Sequence, residues 1–547
     1  RFIDRVFGGV FARFNRFFDK LSDRYVGTVR RAVRASGIVG LLYAGFLGLT
    51  WLGFHQVPAG FVPMQDKYYL LSIAQLPAGA SLDRTEAVVQ QMSETALAEP
   101  GVESVVAFPG LDVNGAANLP NSAVMFIMLD SFEDRKGADL SAHAIAGRLM
   151  GKFSQIPDGF VGVFPPPPVP GLGAMGGFKL QIEDRAGLGF NALAQAQGQI
   201  MARAMQTPEL AGMLASFQPN APQVQIDVDR VKAKAQGVPL TAIFETMQVN
   251  LGSLYVNDFN RFGRTYRVMV QADAPFRQQA ENIGQLQVRN ATGEMIPLSS
   301  LVTITRSTGP DRVMHYNGYP SADISGGPAP GYSSGQATAA IERIVQETLP
   351  PGMTYEWTDL TYQEKAAGNT ALIVFPLSVL LAFLILAAQY NSWSLPFAVL
   401  LIAPMALLSA IGGVWISGGD NNIFTQIAFV VLVGLAAKNA ILIVEFARAK
   451  EQEGMEPLPA VLEAAKLRLR PILMTSIAFI AGVIPLVIAS GAGAEMRHAM
   501  GIAVFAGMLG VTLFGLILTP VFYVAVRRFA VRREARQPSA PLSEQNA

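Results

Sequence analysis

One charged residue stands deep in an otherwise apolar run. Lys438 lies 15 residues after Ile423, in a stretch (423–446) with no Asp or Glu near its middle. That is about 22 Å along a helix, too deep for its stem to reach a membrane surface comfortably by snorkelling. An unpaired ammonium at such depth costs at least about 2.5 kcal/mol, so the position asks for carboxylate partners. Glu445 follows two turns later, about 10 Å away, and no other apolar run carries an acid in its middle. The partners must therefore come from outside these runs. Such a lysine is either one arm of a fixed ion pair or a cation that follows the protonation of neighbouring carboxylates, which titrate in coupled steps when close together.

Other chemistries find less support. His55, His143, His315 and His498 are scattered without ligand spacing. Cysteine is absent, which removes disulfides, thiolate metal sites and cysteine nucleophiles together. No glycine loop followed by Lys and Ser/Thr cradles a phosphate, so ATP is not the expected fuel. The 20 Met residues would suit soft-metal export, but most stand singly on helical faces, where Met is ordinary core filler. No metal site and no cofactor are expected.

The elements that hold Lys438 follow from composition. Of 547 residues, 51% are hydrophobic and 15% charged, against about 25% charged in soluble domains. A net charge of +1 builds no surface for nucleic acid. A spanning helix needs about 20 apolar residues, and six stretches qualify: 37–54, 371–388, 397–416, 423–446, 471–490 and 499–526. Lys and Arg set their orientation. Arg13, Arg16, Lys20, Arg24, Arg30, Arg31 and Arg34 alternate with aromatic residues before the first run, as in a basic amphipathic helix on the cytoplasmic face. Arg448, Lys450, Lys466, Arg468 and Arg470 connect the fourth and fifth runs, and Arg527, Arg528, Arg532 and Arg533 follow the sixth. Gly-rich turns at 418–422 and 491–494 fall on the other side. Both termini are then cytoplasmic and the long segment 57–368 lies outside. The chain opens on Arg1 rather than Met, so a part upstream is expected.

The outer segment alternates strand and helix signals. Residues 69–76, 102–108, 123–129 and 161–164 read as strands, and 81–98 and 138–153 as helices. This βαββαβ order is the split ferredoxin-like arrangement. A Pro- and Gly-rich hinge, 165–177, ends it. A second unit starts with strand 178–182 and helix 188–205 and resumes at strand 321–325, helix 334–348 and strand 355–357. Between them lies a block that reads as inserted, 223–311, with strands at 223–228 and 266–272 and a helix at 230–236. The expected fold class is an α-helical membrane protein of six transmembrane helices with a large α+β outer region. Its domains are a basic helix (1–36), the first span (37–56), a first subdomain (57–170), a second (171–222 and 312–358), the inserted block (223–311), five spans (359–526) and a tail (527–547).

Four motifs carry a resemblance: GLAAKNAILIVEF at 434–446, RLRPILMTS at 468–476, QLPAGA at 75–80 and YVNDF at 255–259. In this order, and with the layout of one span, a split outer segment and five further spans, the chain resembles the C-terminal half of resistance–nodulation–division (RND) exporters of the AcrB type. The resemblance implies half of a proton-driven drug antiporter in a Gram-negative inner membrane, with its outer domains in the periplasm. An N-terminal half would supply an intramembrane pair of Asp residues between which Lys438 swings. Arg468 and Thr475 would belong to the same proton relay, Arg468 near the cytoplasmic exit. From the residues alone, Arg468 and Arg470 serve equally to set topology, and Thr475 to bond a carbonyl of its own helix.

The resemblance also implies where amphiphilic drugs bind. Val106, Leu111, Val113 and Phe126 would line a deep pocket beside the loop 110–115, and Phe164 an outer one. The loop lacks the recurring Phe of several relatives, which implies a different drug spectrum; each of these residues is also ordinary core material. The inserted block resembles a docking domain whose three copies form a funnel, which implies a homotrimer joined to a periplasmic adaptor (membrane fusion) protein and an outer-membrane channel. A turn at Asn257 and Asp258 explains the YVNDF motif equally well. Two alternatives stand beside the drug reading: a relative exporting a metal ion, lipid or envelope precursor, and a non-transporting accessory membrane protein.

Overall fold

A computed structural model describes residues 2–534 apart from 113–116, 174 and 369. Helix α1 (Phe2–Arg34) runs into α2 (Ser36–Gln56) through Ala35. The apolar side of α1 is held by buried Val29 and Val33, and the Tyr25 hydroxyl donates to the Leu516 carbonyl at 2.7 Å.

The segment after α2 begins with β1 (Tyr69–Gln75), α3 (Leu82–Leu97), β2 (Val102–Asp112), β3 (Ala117–Leu129), α4 (Ala142–Phe153) and β4 (Phe160–Phe164). The strands form one antiparallel sheet in the order β2-β3-β1-β4. Side-chain alternation sends Leu70 and Ala74 toward one face, where Val88, Met92, Leu149 and Phe153 of the two helices complete a core. Ser81 and Ser141 cap these helices, their hydroxyls accepting from the amides of Arg84 and Ala144. Leu71 and Ile73 point the other way into a second apolar cluster, so β1 is buried on both faces.

The second unit opens with β5 (Phe178–Asp184), α5 (Phe190–Ala204) and β6 (Leu210–Leu214). It is then interrupted by β7 (Ala221–Val228), α6 (Arg230–Ala235), α7 (Leu240–Met247), the hairpin β8 (Leu254–Arg261) and β9 (Arg264–Val270), the short pair β10 (Gln287–Arg289) and β11 (Met295–Pro297), and β12 (Val302–Gly309). It resumes with β13 (Met314–Tyr316), β14 (Tyr319–Pro328), α8 (Ser334–Thr348) and β15 (Met353–Thr358). The sheet runs β13-β14-β5-β15, with β6 also paired to β14. Leaving β13 aside, the path β6-β14-β5-β15 repeats the order of the first sheet, with the block spliced between its second and third strands.

After α9 (Asp359–Ala367) come α10 (Thr370–Tyr390), α11 (Leu395–Leu400), α12 (Ala403–Ile416), α13 (Ile423–Gln452), α14 (Pro457–Val487) and α15 (Ala494–Glu534). Among the described residues, six stretches are long and apolar enough to cross a membrane: α2, 373–390 of α10, α11 with α12, α13, α14, and 494–528 of α15.

Several boundaries depart from expectation, each for a physical reason. The strands read at 102–108 and 123–129 extend to Asp112 and back to Ala117. Pro109 and Gly110 look like strand breakers, but β2 is an edge strand and the pairing shifts register between Pro109 and Leu111, with Gly110 at φ +84°. A missing amide and a left-handed glycine are tolerated at such a bulge. Strand β6 went unread because it is short and carries Gly212 at φ +60°. Asn257 and Asp258 do not form a turn: they lie within β8, and the hairpin reverses at Phe262 and Gly263, both at positive φ. The connection read at 447–470 is mostly helix, since α13 extends to Gln452 and α14 starts at Pro457, near the N-terminus where the absent N–H costs nothing.

Candidate functional site

Helix α13 packs around most of its circumference, through Ala428, Leu432, Ala436, Ala440 and Val444. One stripe stays uncovered by the chain: Ile427, Val431, Gly434, Lys438 and Glu445. Their spacings of 4, 3, 4 and 7 keep them on a single helical face. Among the described residues Lys438 makes no hydrogen bond or ion pair in this structure, and its ammonium stands on the open side of an otherwise apolar wall.

The neighbouring residue was missed by the sequence reading. Asn439, 4% exposed, donates from Nδ2 to the Ser476 hydroxyl at 3.1 Å, and Ser476 is buried too. This bond joins α13 to α14 one residue from Lys438 and one residue from Thr475. The signal was available, since Asn439 is a polar residue beside Lys438, deep in the same apolar run. Thr475 itself donates to the Ile472 carbonyl at 3.1 Å, within its own helix. Arg468 lies seven residues before Thr475, about 10 Å along α14, with its guanidinium 4.6 Å from the Phe446 ring centroid and a buried Nε without a hydrogen-bond partner. Lys438, Arg468 and Thr475 thus lie along α13 and α14 near this seam, with no hydrogen bond between them among the described residues. Arg470 turns outward: it donates to Asn15 Oδ1 at 2.6 Å and lies over Phe14 and Phe18, fastening α1.

Away from the long apolar helices, the pairing register aligns three of the other expected residues. Val106 faces Phe126, Phe126 faces Leu71, and Leu71 faces Phe164, so the four form one row across β2, β3, β1 and β4. Directly opposed residues share a face of a sheet. At the β4 end the row is closed by the second unit: Phe164 packs with Leu214 and Met175. At the β2 end it is open, with Val106 and Phe108 exposed. Leu111 packs against the same cluster, whereas Val113 lies outside the described residues. Leu71 and Phe108 were not singled out from the sequence. Phe108 meets Phe126 edge-on at 6.1 Å, a second ring on a surface otherwise suited to undirected apolar contact.

Two clamps hold the row in place. Lys67 Nζ donates to the carbonyls of Pro167 and Pro168 at 2.9 and 2.6 Å, just after β4, and burial pulls its ammonium below the ordinary lysine range. Next to it, Asp66 takes a two-pronged ion pair from Arg135, at 2.8 and 3.0 Å, plus the amides of Tyr68 and Ala142. Burial alone would raise the Asp66 carboxyl, but these donors outweigh it and hold the group below the usual carboxylate range.

A sequence model described as the AcrB/AcrD/AcrF family matches residues 4–527. The multidrug export protein AcrF of Escherichia coli (strain K12) is 40% identical over 528 residues, covering 95% of this chain and 50% of that protein. The multidrug/solvent efflux pump membrane transporter MepB of Pseudomonas putida is 39% identical over 98% of this chain and 51% of its own length. The multidrug resistance protein MdtF of Escherichia coli (strain K12) is 38% identical over 96% and 50%. The chain thus spans about half the length of these curated relatives.

Proposed function

Because the chain belongs to the AcrB/AcrD/AcrF family, we propose that it works as one half of a proton-driven exporter of amphiphilic drugs in a Gram-negative inner membrane. Relatives named for multidrug export and for multidrug and solvent efflux support the substrate class. The observation that carries the mechanism is the uncovered stripe of α13. A lysine in an apolar helix, with no partner among the described residues and a bare face around it, needs a docking surface that brings carboxylates. In this reading a second, N-terminal half supplies an Asp pair to that stripe. Proton loading on the pair changes what Lys438 is attracted to, and the Asn439–Ser476 bond passes the displacement from α13 to α14, where Thr475 and Arg468 lie.

The drug in this reading rests on the row of Val106, Phe126 and Phe164, with Leu111 and Val113 beside it. The strand order of both outer sheets supports two ferredoxin-like periplasmic subdomains (57–170, and 171–222 with 312–358). The spliced block 223–311 acts as the docking subdomain of a homotrimer that meets a periplasmic adaptor and an outer-membrane channel. The six spans comprise 37–56 and those within 359–526.

The test uses the complete native gene product with its adaptor and channel, in a strain stripped of other pumps. Lys438→Ala is expected to return resistance to amphiphilic antibiotics and dyes to background at unchanged membrane level, and a protonophore to do the same to the wild type. Wild-type resistance in Lys438→Ala cells refutes the proposal.

A further inference from the structure

The row is held at a third place, by buried charge. Asp112 ends β2 and is 3% exposed, and its carboxylate pairs with the Arg312 guanidinium, 11% exposed. Arg312 Nη2 donates to the Ser216 hydroxyl at 2.8 Å, and Ser216 in turn donates to Asp323 of β14. Asp112 belongs to the first unit, Ser216 follows β6, and Arg312 follows β12, where the inserted block returns. One guanidinium therefore joins the first unit, the second unit and the foot of the block. Beside this joint, Gln218 accepts from Asn121 Nδ2 at 3.1 Å and donates to the Leu76 carbonyl at 3.3 Å, tying the units together again.

Charge accounting makes this joint directional. Asp112 pairs with the Arg312 guanidinium, Asp311 precedes it in the chain, and Asp323 is reached through Ser216. Burial pushes the Asp311 carboxyl up, and its Oδ2 is buried without a partner, although its Oδ1 accepts from the Arg312 amide at 2.8 Å. Asp311 thus sits in surroundings that favour its neutral form, while the geometry gives the guanidinium to Asp112. Leu111, immediately before Asp112, packs against the cluster that contains Phe164 and Leu71. Anchoring Asp112 fixes Leu111 over the row.

We propose that Asp112 and Arg312 are positioning residues that set which amphiphiles the row admits, by fastening the end of β2 to the second unit. The inference rests on the transport reading above. A buried pair resists parting because the attraction between the two charges offsets their loss of water, so the gap between the units at this corner has a set width. Freed, the end of β2 and Leu111 would swing away from the second unit and the row would accept bulkier compounds.

The experiment compares wild type, Asp112→Asn, Arg312→Gln and the double variant in the complete gene product. The double variant removes both charges together and keeps the comparison open if a single variant folds poorly. Hydrogen exchange on purified protein reads residues 104–112, and resistance in cells is read against a small and a bulky member of one amphiphile series. Exchange in 104–112 is expected to rise by at least about tenfold, and the ratio of resistance to the bulky over the small compound to rise severalfold at equal protein level, with the double variant matching the singles rather than their sum. Unchanged exchange overturns the proposal. So does raised exchange with an unchanged ratio, because the pair would then be structural only. Absence of resistance in the wild type itself, with exchange shifted as expected, instead sinks the transport reading on which the specificity role depends.

Discussion

Replacing Arg135 by Met keeps the apolar stem and removes the guanidinium from a site where it is only 2% exposed. What remains is Asp66, 13% exposed, with the amides of Tyr68 and Ala142 as its outer-region donors. Orphaning one member of a buried pair costs about 3–5 kcal/mol. Arg135 also donates from Nε to the Asp130 carbonyl at 2.8 Å and lies 5.0 Å from the Phe132 ring centroid, so the upper part of that range is expected. At about 1.4 kcal/mol per decade, local opening of the first unit should become roughly several hundredfold to a few thousandfold more frequent. The pH dependence sharpens the prediction. In the wild type the Asp66 carboxyl lies below its unfolded value of about 3.9, so its contribution is complete above that value and constant between pH 7.5 and 5; it fades only in stronger acid. Without Arg135, burial dominates and the carboxyl rises above its unfolded value, so acidification through the raised value relieves the penalty. Hydrogen exchange of β1 and α4 in the complete detergent-purified protein should therefore show Arg135→Met gaining protection from pH 7.5 to 5, after correction for intrinsic exchange, while the wild type stays level. Loss of protection in the variant over that window, or a penalty below about 1 kcal/mol, would refute the reasoning.

Two further expectations concern the seams. Asn439→Ala should lower the unfolding free energy in detergent by about 1–3 kcal/mol, and Asn439→Ala/Ser476→Ala by less than the sum of the two single changes, because removing both partners leaves no buried group unsatisfied; additive costs in a denaturant titration would count against the bond. Phe164→Ala should cost about 3–5 kcal/mol in thermal unfolding, toward the lower end because Gly212 approaches the ring and Leu214 packs on it from the other unit, so both can close the gap.

Much of the outer architecture is legible because alternation and amphipathic spacing are local signals. Tyr69–Gln75 and Phe178–Asp184 announce themselves as strands, and Ser81 and Ser333 announce helix starts through their capping oxygens. What misleads is residue type read without neighbours. Pro109 and Gly110 look like an end, yet an edge strand has no partner on one side to lose. Leu210–Leu214 looks like loop, yet it is recruited by β14 across a chain separation of more than 100 residues. The candidate site divides in the same way. Lys438 stands out because charge in an apolar run is costly wherever it occurs. The alignment of Val106 and Phe126 with Leu71 and Phe164 is a matter of register, fixed by pairings between strands far apart in the chain. The pairing of Asp112 with Arg312 joins residues 200 positions apart, so no local pattern announces it.

The splice between the second and third strands of the second unit has a mechanical consequence. The inserted block leaves by β7 and returns by β12, and these two strands pair over eight positions, from Ala221 with Gly309 to Val228 with Val302. The stem is thus a two-stranded ribbon. Pulled along its length, it carries the load through two covalent backbones; twisted or tilted, it yields readily, as narrow ribbons do. Its feet connect to β6 on one side and, through β13, to β14 on the other, and β6 and β14 are paired, so a tilt of the block would reach the second unit first at that pair. β6 carries the Leu214 that packs on Phe164, and Arg312 stands three residues past the ribbon's end. A tilt of the block would therefore be felt both at Leu214, at the closed end of the apolar row, and at Asp112, at the end of β2.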